Sequence, residues 1–130
     1  MIVVDASVLA PALADDSADG DVARARLRGE TLVAPELIDL EVLSVYRRQV
    51  WAGALDVNRA ETALTDLLDL ALRRVPHARL LGRCWELREN LTVYDASYVA
   101  LAERLDAVLV TGDARLSKAP GLRCRVDVLS

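Results

Sequence analysis

Acidic side chains stand directly after two apolar runs near opposite ends of this chain. Asp5 follows the run at positions 1–4, and Asp113 follows the run at positions 109–112. Both runs are typical of short buried strands, and in an open α/β sheet ligands bind outside the carboxyl ends of the strands. Asp5 and Asp113 therefore predict an acidic pocket at one edge of a sheet.

Two further acids lie on predicted helices. Asp95 begins the helical pattern at positions 95–104, and Glu41 falls inside the pattern at positions 37–51. Leu37 and Val45 stand one turn before and one turn after Glu41, so its carboxylate is expected along the buried stripe of its helix. Because a buried unpaired charge is costly, Glu41 needs a cation, either an arginine or a metal ion.

Each acid alone has a simpler explanation. Asp5 and Asp95 could cap the helices that follow them, and Asp113 stands after Gly112 in a common kind of turn. If the four carboxylates converge, however, each pair of unit charges about 4 Å apart repels by roughly 4 kcal/mol at an effective dielectric near 20. Such crowding needs compensation.

A hard divalent cation would supply that compensation. Mg²⁺ takes one or two carboxylates directly and keeps waters and substrate phosphates in its other positions. An ion held in this way supports phosphodiester hydrolysis. The single histidine, His77, excludes a two-histidine ribonuclease mechanism, and the chain has no serine-hydrolase, P-loop or zinc-protease motif.

Strands and helices are predicted in alternation, which indicates a parallel sheet with helices on both faces. We expect one α/β domain spanning 1–130, with four to five short strands. The strands are predicted at 1–4, 32–34, 74–76, 107–111 and 124–128. The helices are predicted at 7–14 with an interruption at Pro11, 22–28, 37–51, 58–72, 78–88 and 95–104, with an acidic turn at 15–20 and a short turn near Ser117.

Composition limits the class of protein. The chain is 53% hydrophobic with 4% aromatic residues and no Phe, which predicts a core of Leu, Val and Ala. No apolar run approaches the ~20 residues of a membrane span, and no basic region precedes the first apolar stretch, so we expect a cytoplasmic protein without membrane attachment. Cys84 and Cys124 are isolated, which predicts buried free thiols.

The cations are mostly arginines. Of the 16 basic residues only Lys118 is a lysine, and arginine suits phosphate, so a phosphate-bearing partner is permitted despite the net charge of −4. Solvated helix faces account for most of these arginines. The aromatic residues Trp51, Trp85 and Tyr98 are predicted to pack in the core or in a dimer interface.

Four segments of the chain together resemble a known family. They are Ile-Val-Val-Asp-Ala-Ser at 2–7, Glu41 after Pro-Glu-Leu at 35–37, Leu-Thr-Val-Tyr-Asp-Ala-Ser-Tyr-Val-Ala-Leu-Ala at 91–102, and Leu-Val-Thr-Gly-Asp-Ala-Arg-Leu at 109–116. These segments are similar to the PIN domain, and specifically to the VapC-type toxin ribonucleases of toxin–antitoxin pairs. The likeness covers nearly the whole chain, and the Tyr-Asp-Ala block is its most specific part.

The resemblance implies a PIN-like fold and an endoribonuclease that hydrolyses RNA with Mg²⁺ or Mn²⁺. It maps the catalytic and metal-binding acids onto Asp5, Glu41, Asp95 and Asp113, with Asp113 in the most variable role. It also implies a homodimer and a small VapB-type antitoxin protein, with the complex a heterotetramer or larger. Two supporting residues are implied as well, Ser7 and Thr111.

Two alternatives stay open at this point. A haloacid dehalogenase-like aspartyl-phosphate hydrolase also places an acid after its first strand and a Gly-Asp pair after a late strand. Its two remaining acids, however, would fall on Ser7 and Ser117 here. The other alternative is a PIN fold that serves only in binding or regulation, and the complete set of four acids disfavours it.

Overall fold

The strands form one parallel sheet with the first strand at its centre. The computed structural model describes all 130 residues, and its sheet has the order β3-β2-β1-β4-β5. The strands are β1 (Ile2–Val4), β2 (Leu32–Pro35), β3 (Leu72–Val75), β4 (Val108–Thr111) and β5 (Val126–Val128). The predicted fold, a single α/β domain with a parallel sheet of four to five strands, is confirmed, with five strands present.

Seven helices connect the strands. They are α1 (Ala6–Ala14), α2 (Ala18–Leu27), α3 (Ile38–Trp51), α4 (Val57–Asp69), α5 (Leu81–Glu86), α6 (Val93–Leu105) and α7 (Ala114–Lys118), with a 3₁₀ turn at Ala78–Leu80 before α5. Because crossovers between parallel strands are right-handed, the helices before β3 and those after it cover opposite faces of the sheet. None of the helices is long and apolar enough to cross a membrane.

Helix α6 has the longest unbroken run of buried residues among the helices. All residues from Ala96 to Ala102 are buried, and the helix packs against β1, β2 and β4. Its small side chains, including Ala96 and Ala100, let the backbone approach the sheet closely. A helix that is apolar almost all round is suited to a place in the core. This packing fixes where the first turn of α6, which carries Asp95, meets the sheet.

The observed elements correct several predicted boundaries. Helix α1 continues through Pro11, and α2 begins at Ala18, inside the predicted acidic turn, because acids in a first turn favour the positive end of a helix. The helix predicted to reach Leu72 ends at Asp69, and Leu72 begins β3. In the segment predicted as a helix at 78–88, a 3₁₀ turn precedes the short helix α5. Helix α7 replaces the turn predicted near Ser117. The last strand begins at Val126 and not at the predicted position 124.

Several side chains predicted only from composition have definite places. The core is one cluster of buried apolar residues made chiefly of Leu, Val and Ala, as predicted. Both cysteines are free thiols, with Cys84 buried and Cys124 half-buried. Arg74 forms a forked ion pair with Asp39, so it ties β3 to α3 and does not lie on a solvated helix face. Trp51 and Trp85 are exposed, so of the two places predicted for them, the core or a dimer interface, they do not occupy the core.

The backbone of Asp15 lies against Gly20 where α1 is followed by α2. A Cβ atom placed on Gly20 would lie 1.8 Å from the backbone oxygen of Asp15, which is far inside van der Waals contact. We therefore expect Gly20→Ala to lower the free energy of unfolding by about 1–3 kcal/mol or more, because the backbone must shift to accept the methyl group. Urea denaturation followed by circular dichroism measures this loss.

The matched control is Gly82→Ala in α5. No atom lies within 4 Å of a Cβ at Gly82, and alanine favours helix by up to about 1 kcal/mol over glycine. This variant should be as stable as the parent or slightly more stable. Equal stability of the two variants would show that the contact at Gly20 relaxes without cost.

Candidate active site

The candidate site lies where the strand order reverses. From β1 the chain moves outward through β2 to β3, and then returns to the other side of β1 through β4 and β5. Ligands of open α/β sheets bind at such a switch point, in the crevice outside the carboxyl ends of the strands. Asp5 directly follows β1 and Asp113 lies two residues beyond β4, so both reach this crevice.

Asp5 is held by hydroxyl groups from two directions. Its Oδ1 atom accepts hydrogen bonds from the backbone N–H of Ser7, at 2.9 Å, and from the Ser7 hydroxyl. Its Oδ2 atom accepts from the Thr111 hydroxyl at 2.6 Å. The same two hydroxyl oxygens accept backbone N–H groups from the next turn, Ser7 Oγ from Gly112 at 2.8 Å and Thr111 Oγ1 from Asp113 at 3.0 Å. One network thus joins the ends of β1 and β4.

The Asp5 carboxyl is costly to ionise in spite of these hydrogen bonds. Only 7% of Asp5 is exposed, and burial raises the pKa of its carboxyl above the ordinary value. The bonds from Ser7 and Thr111 lower the pKa, and the nearby charge of Asp95 raises it again. Asp5 also caps α1 through the Ser7 N–H, so the capping interpretation holds beside any chemical role.

Glu41 was expected to need a cation, either an arginine or a metal ion, and in the structure its side-chain partner is a neutral tyrosine. Its Oε1 atom accepts a hydrogen bond from the Tyr98 hydroxyl at 2.6 Å, and none of the ion pairs of the protein includes Glu41. Burial raises the pKa of Glu41, and the charges of Asp5 and Asp95 raise it further against the bond from Tyr98. The Glu41 side chain is only half-buried, so one face of it meets the crevice.

Asp95 lies in the first turn of α6 and does not cap it. Thr92 is the cap, since its hydroxyl oxygen accepts the Asp95 N–H at 3.1 Å. This leaves the Asp95 carboxylate free of a capping bond, and the alternative of Asp95 as a helix cap is wrong. Burial raises the pKa of Asp95, and the charge of Asp113 adds to the increase.

Asp113 differs from the other three acids because it has a cation. Arg115 donates to its Oδ1 atom from Nε at 3.1 Å and to its Oδ2 atom from Nη2 at 2.8 Å. The guanidinium, together with the Arg115 backbone N–H, lowers the pKa of Asp113. Asp113 also caps α7, whereas its alternative interpretation was only a turn after Gly112.

The donor set suits a hard divalent cation. Asp5, Glu41 and Asp95 offer carboxylate oxygens without a cationic partner. The pKa of each is raised, in part by the charge of a neighbouring acid. No group of three or more His, Cys, Asp or Glu side chains is arranged to hold an ion together. The acids therefore do not form a closed cage. Mg²⁺ needs only one or two direct carboxylates, so the residues present fit it.

Residue types alone did not single out two members of the site. Tyr98 was expected only to pack, yet its hydroxyl orients Glu41 from a buried position. The helical spacing of three residues from Asp95 is the signal that could have placed Tyr98 on the same face of α6. The other is Arg115, whose guanidinium binds Asp113 from two positions along the chain. His77 has a structural part, since its Nε2 atom accepts the Leu37 N–H before α3.

Comparison with known proteins shows which family the chain belongs to. The PIN domain model matches residues 2–122. The chain is 44% identical over 128 residues to Ribonuclease VapC1 of Mycobacterium tuberculosis, an alignment that covers 98% of this chain and 96% of that one. It belongs to the PIN domain family of VapC ribonucleases. Ribonuclease VapC9 of the same organism is a second relative of this PIN domain, 43% identical over 129 residues and covering 99% and 98% of the two chains.

Solved structures show that the PIN fold extends over the whole chain. The VapC20 toxin of M. tuberculosis, described as cleaving the sarcin–ricin loop, superposes with a TM-score of 0.72 over 96% of this chain and 99% of that chain. VapBC2 of Rickettsia felis, solved with a DNA fragment from its promoter, gives a TM-score of 0.68 with full coverage of both chains. At 18% and 16% identity these likenesses concern the fold alone.

The hydroxyl of Thr111 can be tested without changing the shape of its side chain. Thr111→Val removes the donor to Asp5 Oδ2 and the acceptor for the Asp113 N–H in a fully buried place. Leaving such groups unpaired costs about 1–3 kcal/mol, and we expect that loss in the free energy of unfolding. Thr111→Ser, which keeps the hydroxyl, is the control and should lose less. A valine variant as stable as the parent in urea would contradict the network.

Proposed function

We propose that this PIN domain is a metal-dependent endoribonuclease and the toxin of a type II toxin–antitoxin system. The observation that carries the proposal is the set of carboxylates at the switch point, three of which have no cationic partner. A protein that keeps these charges close together gains stability from a cation that binds between them. The relatives named ribonucleases supply the substrate class, RNA.

Mg²⁺ or Mn²⁺ would be held directly by one or two of the four acids, Asp5, Glu41, Asp95 and Asp113, and the others would act through its water ligands. Asp5 is the most constrained of the four. When bound, the ion generates a nucleophile from water and stabilises the charge that develops on a phosphoryl oxygen. Asp5 is kept in one rotamer by Ser7 and Thr111. Glu41 uses Oε1 for Tyr98, so its Oε2 atom can orient the attacking water. Burial raises the pKa of Glu41 toward the working range of a general base.

The catalytically idle alternative would need a damaged or occupied site. All four acids are present, and only Asp113 is occupied, by an exposed arginine. Membership of the PIN family favours the nuclease over the dehalogenase-like hydrolase, whose further acids fall on Ser7 and Ser117.

Asp95→Asn separates the chemistry from the fold. The substitution removes a charge that takes no part in a helix cap, so we expect RNA cleavage in Mn²⁺ to fall by about 10²-fold or more. Cleavage of a labelled RNA by the purified protein, with EDTA as the blank, measures this. Wild-type protein that cleaves RNA equally well in EDTA would overturn the metal-dependent proposal, and wild-type protein without any metal-dependent cleavage would favour the idle module.

The same variant carries a stability signature with a definite sign. Burial and Asp113 raise the pKa of Asp95 above 3.8, so the folded state binds more protons than the unfolded state just above that value. Ionised Asp95 therefore costs stability as the pH rises through its raised pKa. In EDTA, Asp95→Asn should melt higher than the wild type at neutral pH and equally near pH 3. An advantage that is independent of pH would contradict this explanation.

We propose further that a small VapB-type antitoxin inhibits the enzyme in the cytoplasm, where its RNA substrate is found. Support comes from the structural neighbour VapBC2, a protein pair solved bound to a fragment of its promoter DNA. A groove of about 250 Å³ between α3 and α4, lined by Leu43, Trp51 and Leu64 among others, would take an apolar segment of the antitoxin. A basic residue elsewhere in the antitoxin that reached the acids would compete with the metal ion for them.

A homodimer would use the second exposed apolar face. Leu81, Trp85, Val93 and Tyr94 are exposed on α5 and the first turn of α6, around a cleft of about 480 Å³. Exposed apolar clusters of this kind mark interaction surfaces. This face lies at the start of α6, beside Asp95, so pairing through it would bring two active sites near each other. One such dimer with two antitoxins would give the heterotetramer, and two heterotetramers would give a larger assembly.

Two tryptophans allow a matched test of the dimer. Both Trp85 and Trp51 are exposed and carry an arginine stacked on the ring, Arg88 and Arg47 respectively. Trp85→Glu buries a charge in the proposed interface, so sedimentation should find a monomer, whereas Trp51→Glu should leave the dimer intact. The reverse pattern would assign the dimer to the groove between α3 and α4.

A further inference from the structure

One cleft that contains both acidic and basic side chains adjoins the acids on the side of β4. Its volume is about 380 Å³, and Asp95 and Asp113 line it together with Arg115 and Lys118. Lys118 is the only lysine of the chain. The remaining polar lining comes from Asn90 and Thr92. This cleft contains two candidate metal-binding carboxylates and two cationic side chains. It can therefore bind a metal ion and a phosphate group at the same time.

The pair of Arg115 and Asp113 is built to separate. The Arg115 side chain is 88% exposed, and an exposed ion pair of this kind contributes little net stability. Its backbone N–H donates independently to Asp113 Oδ1 at 2.9 Å. If the guanidinium leaves, this backbone bond still holds the Asp113 carboxylate in place at the start of α7. The acid is therefore positioned twice, once by a fixed group and once by a mobile one.

A metal ion and the Arg115 guanidinium need the same oxygens. Both carboxylate oxygens of Asp113 accept from the guanidinium, at Nε and Nη2. The positive charge of Arg115 also acts on Asp95. A cation approaching Asp95 and Asp113 therefore meets repulsion from Arg115 and competition for Asp113 until the side chain turns away.

We propose that Arg115 is an exchangeable cation, which neutralises Asp113 in the metal-free protein and binds an RNA phosphate in the cleft once Asp113 turns to the metal. The inference deepens the proposed function and rests on it. The planar fork of arginine fits a phosphate as well as a carboxylate, so both partners use the same donors. Lys118 would bind the same strand as a point charge without touching Asp113.

The signature of this exchange is a pair of opposite effects in one variant. In Arg115→Ala, Mn²⁺ should bind more tightly, by up to about fivefold, because a competing exposed pair is gone. Electron paramagnetic resonance of free Mn²⁺ measures this without RNA. In the same variant, KM for an RNA oligonucleotide at saturating Mn²⁺ should rise several-fold. A residue that only supported the α7 turn would not tighten metal binding.

Three further variants separate charge, geometry and place. Lys118→Ala should raise KM with unchanged Mn²⁺ affinity. Arg115→Lys, which keeps the charge but loses the fork, should lie between Arg115→Ala and the wild type in both KM and Mn²⁺ affinity. Arg104→Ala, at the exposed far end of α6, makes the same change in net charge and should alter neither quantity.

Unchanged or weaker Mn²⁺ binding in Arg115→Ala would overturn the exchange, as would tighter binding with an unchanged KM. If the wild type binds Mn²⁺ and cleaves RNA, and Arg115→Ala does both equally well, only this inference is overturned. Wild-type protein that neither binds Mn²⁺ nor cleaves RNA would sink the proposed function itself. The two failures are therefore distinguishable in a single set of measurements.

Discussion

The structure depends on a buried carboxylate that two hydroxyl groups hold at the centre of the sheet. Asp5 directly follows the middle strand, β1. Thr111 is the last residue of the neighbouring strand β4, and its hydroxyl donates a hydrogen bond to Asp5. Because each hydroxyl has one proton, Ser7 and Thr111 commit theirs to Asp5 and use their oxygens for the backbone of the β4–α7 turn. The carboxylate thereby orders the turn that carries Asp113.

The helices extend this order to the remaining acids. The small buried residues of helix α6 pack against the three central strands, β1, β2 and β4. This packing fixes the position of the first turn of the helix. Tyr98, one turn after Asp95, carries the position of α6 across to Glu41 on α3 through a single hydroxyl. The site is thus assembled from the end of β1, the turn after β4, and helices α3 and α6. Hydrogen bonds join the end of β1 to the turn, and a hydrogen bond between Tyr98 and Glu41 joins the two helices.

Much of the fold followed from the sequence because its signals are local. Short apolar runs such as that at positions 1–4 announce buried strands, and the alternation with helices dictates a parallel sheet with the acids at its carboxyl edge. Boundaries were less predictable where two influences compete. Leu72 suits a helix by its neighbours, yet pairing with Leu32 places it in β3. Pro11 disfavours a helix interior, yet α1 continues through it because the surrounding residues bury its apolar face.

The partners of the acids were the least predictable part of the site, since they depend on contacts between distant residues. For Glu41, charge alone indicated an arginine or a metal ion, but a tyrosine 57 positions away provides the hydrogen bond. Likewise α6 begins at Val93, two residues before the start that its apolar pattern indicates, so its cap is Thr92 and not Asp95. Asp5 is the exception, because its partners Ser7 and Thr111 are the two supporting residues that the resemblance implied.

The choice of neutral partners explains why the acids remain available. A lysine or arginine beside each acid would satisfy it, lower its pKa and leave little to attract a metal ion. Hydroxyl donors from Ser7, Thr111 and Tyr98 instead fix the orientation of Asp5 and Glu41 without cancelling their charge. Burial raises the pKa of Asp5, Glu41 and Asp95, and the charge of a neighbouring acid adds to each increase. Rigid placement with uncancelled charge is the condition under which a cation binds strongly, and the one acid that has a cation, Asp113, has it from a side chain free to leave.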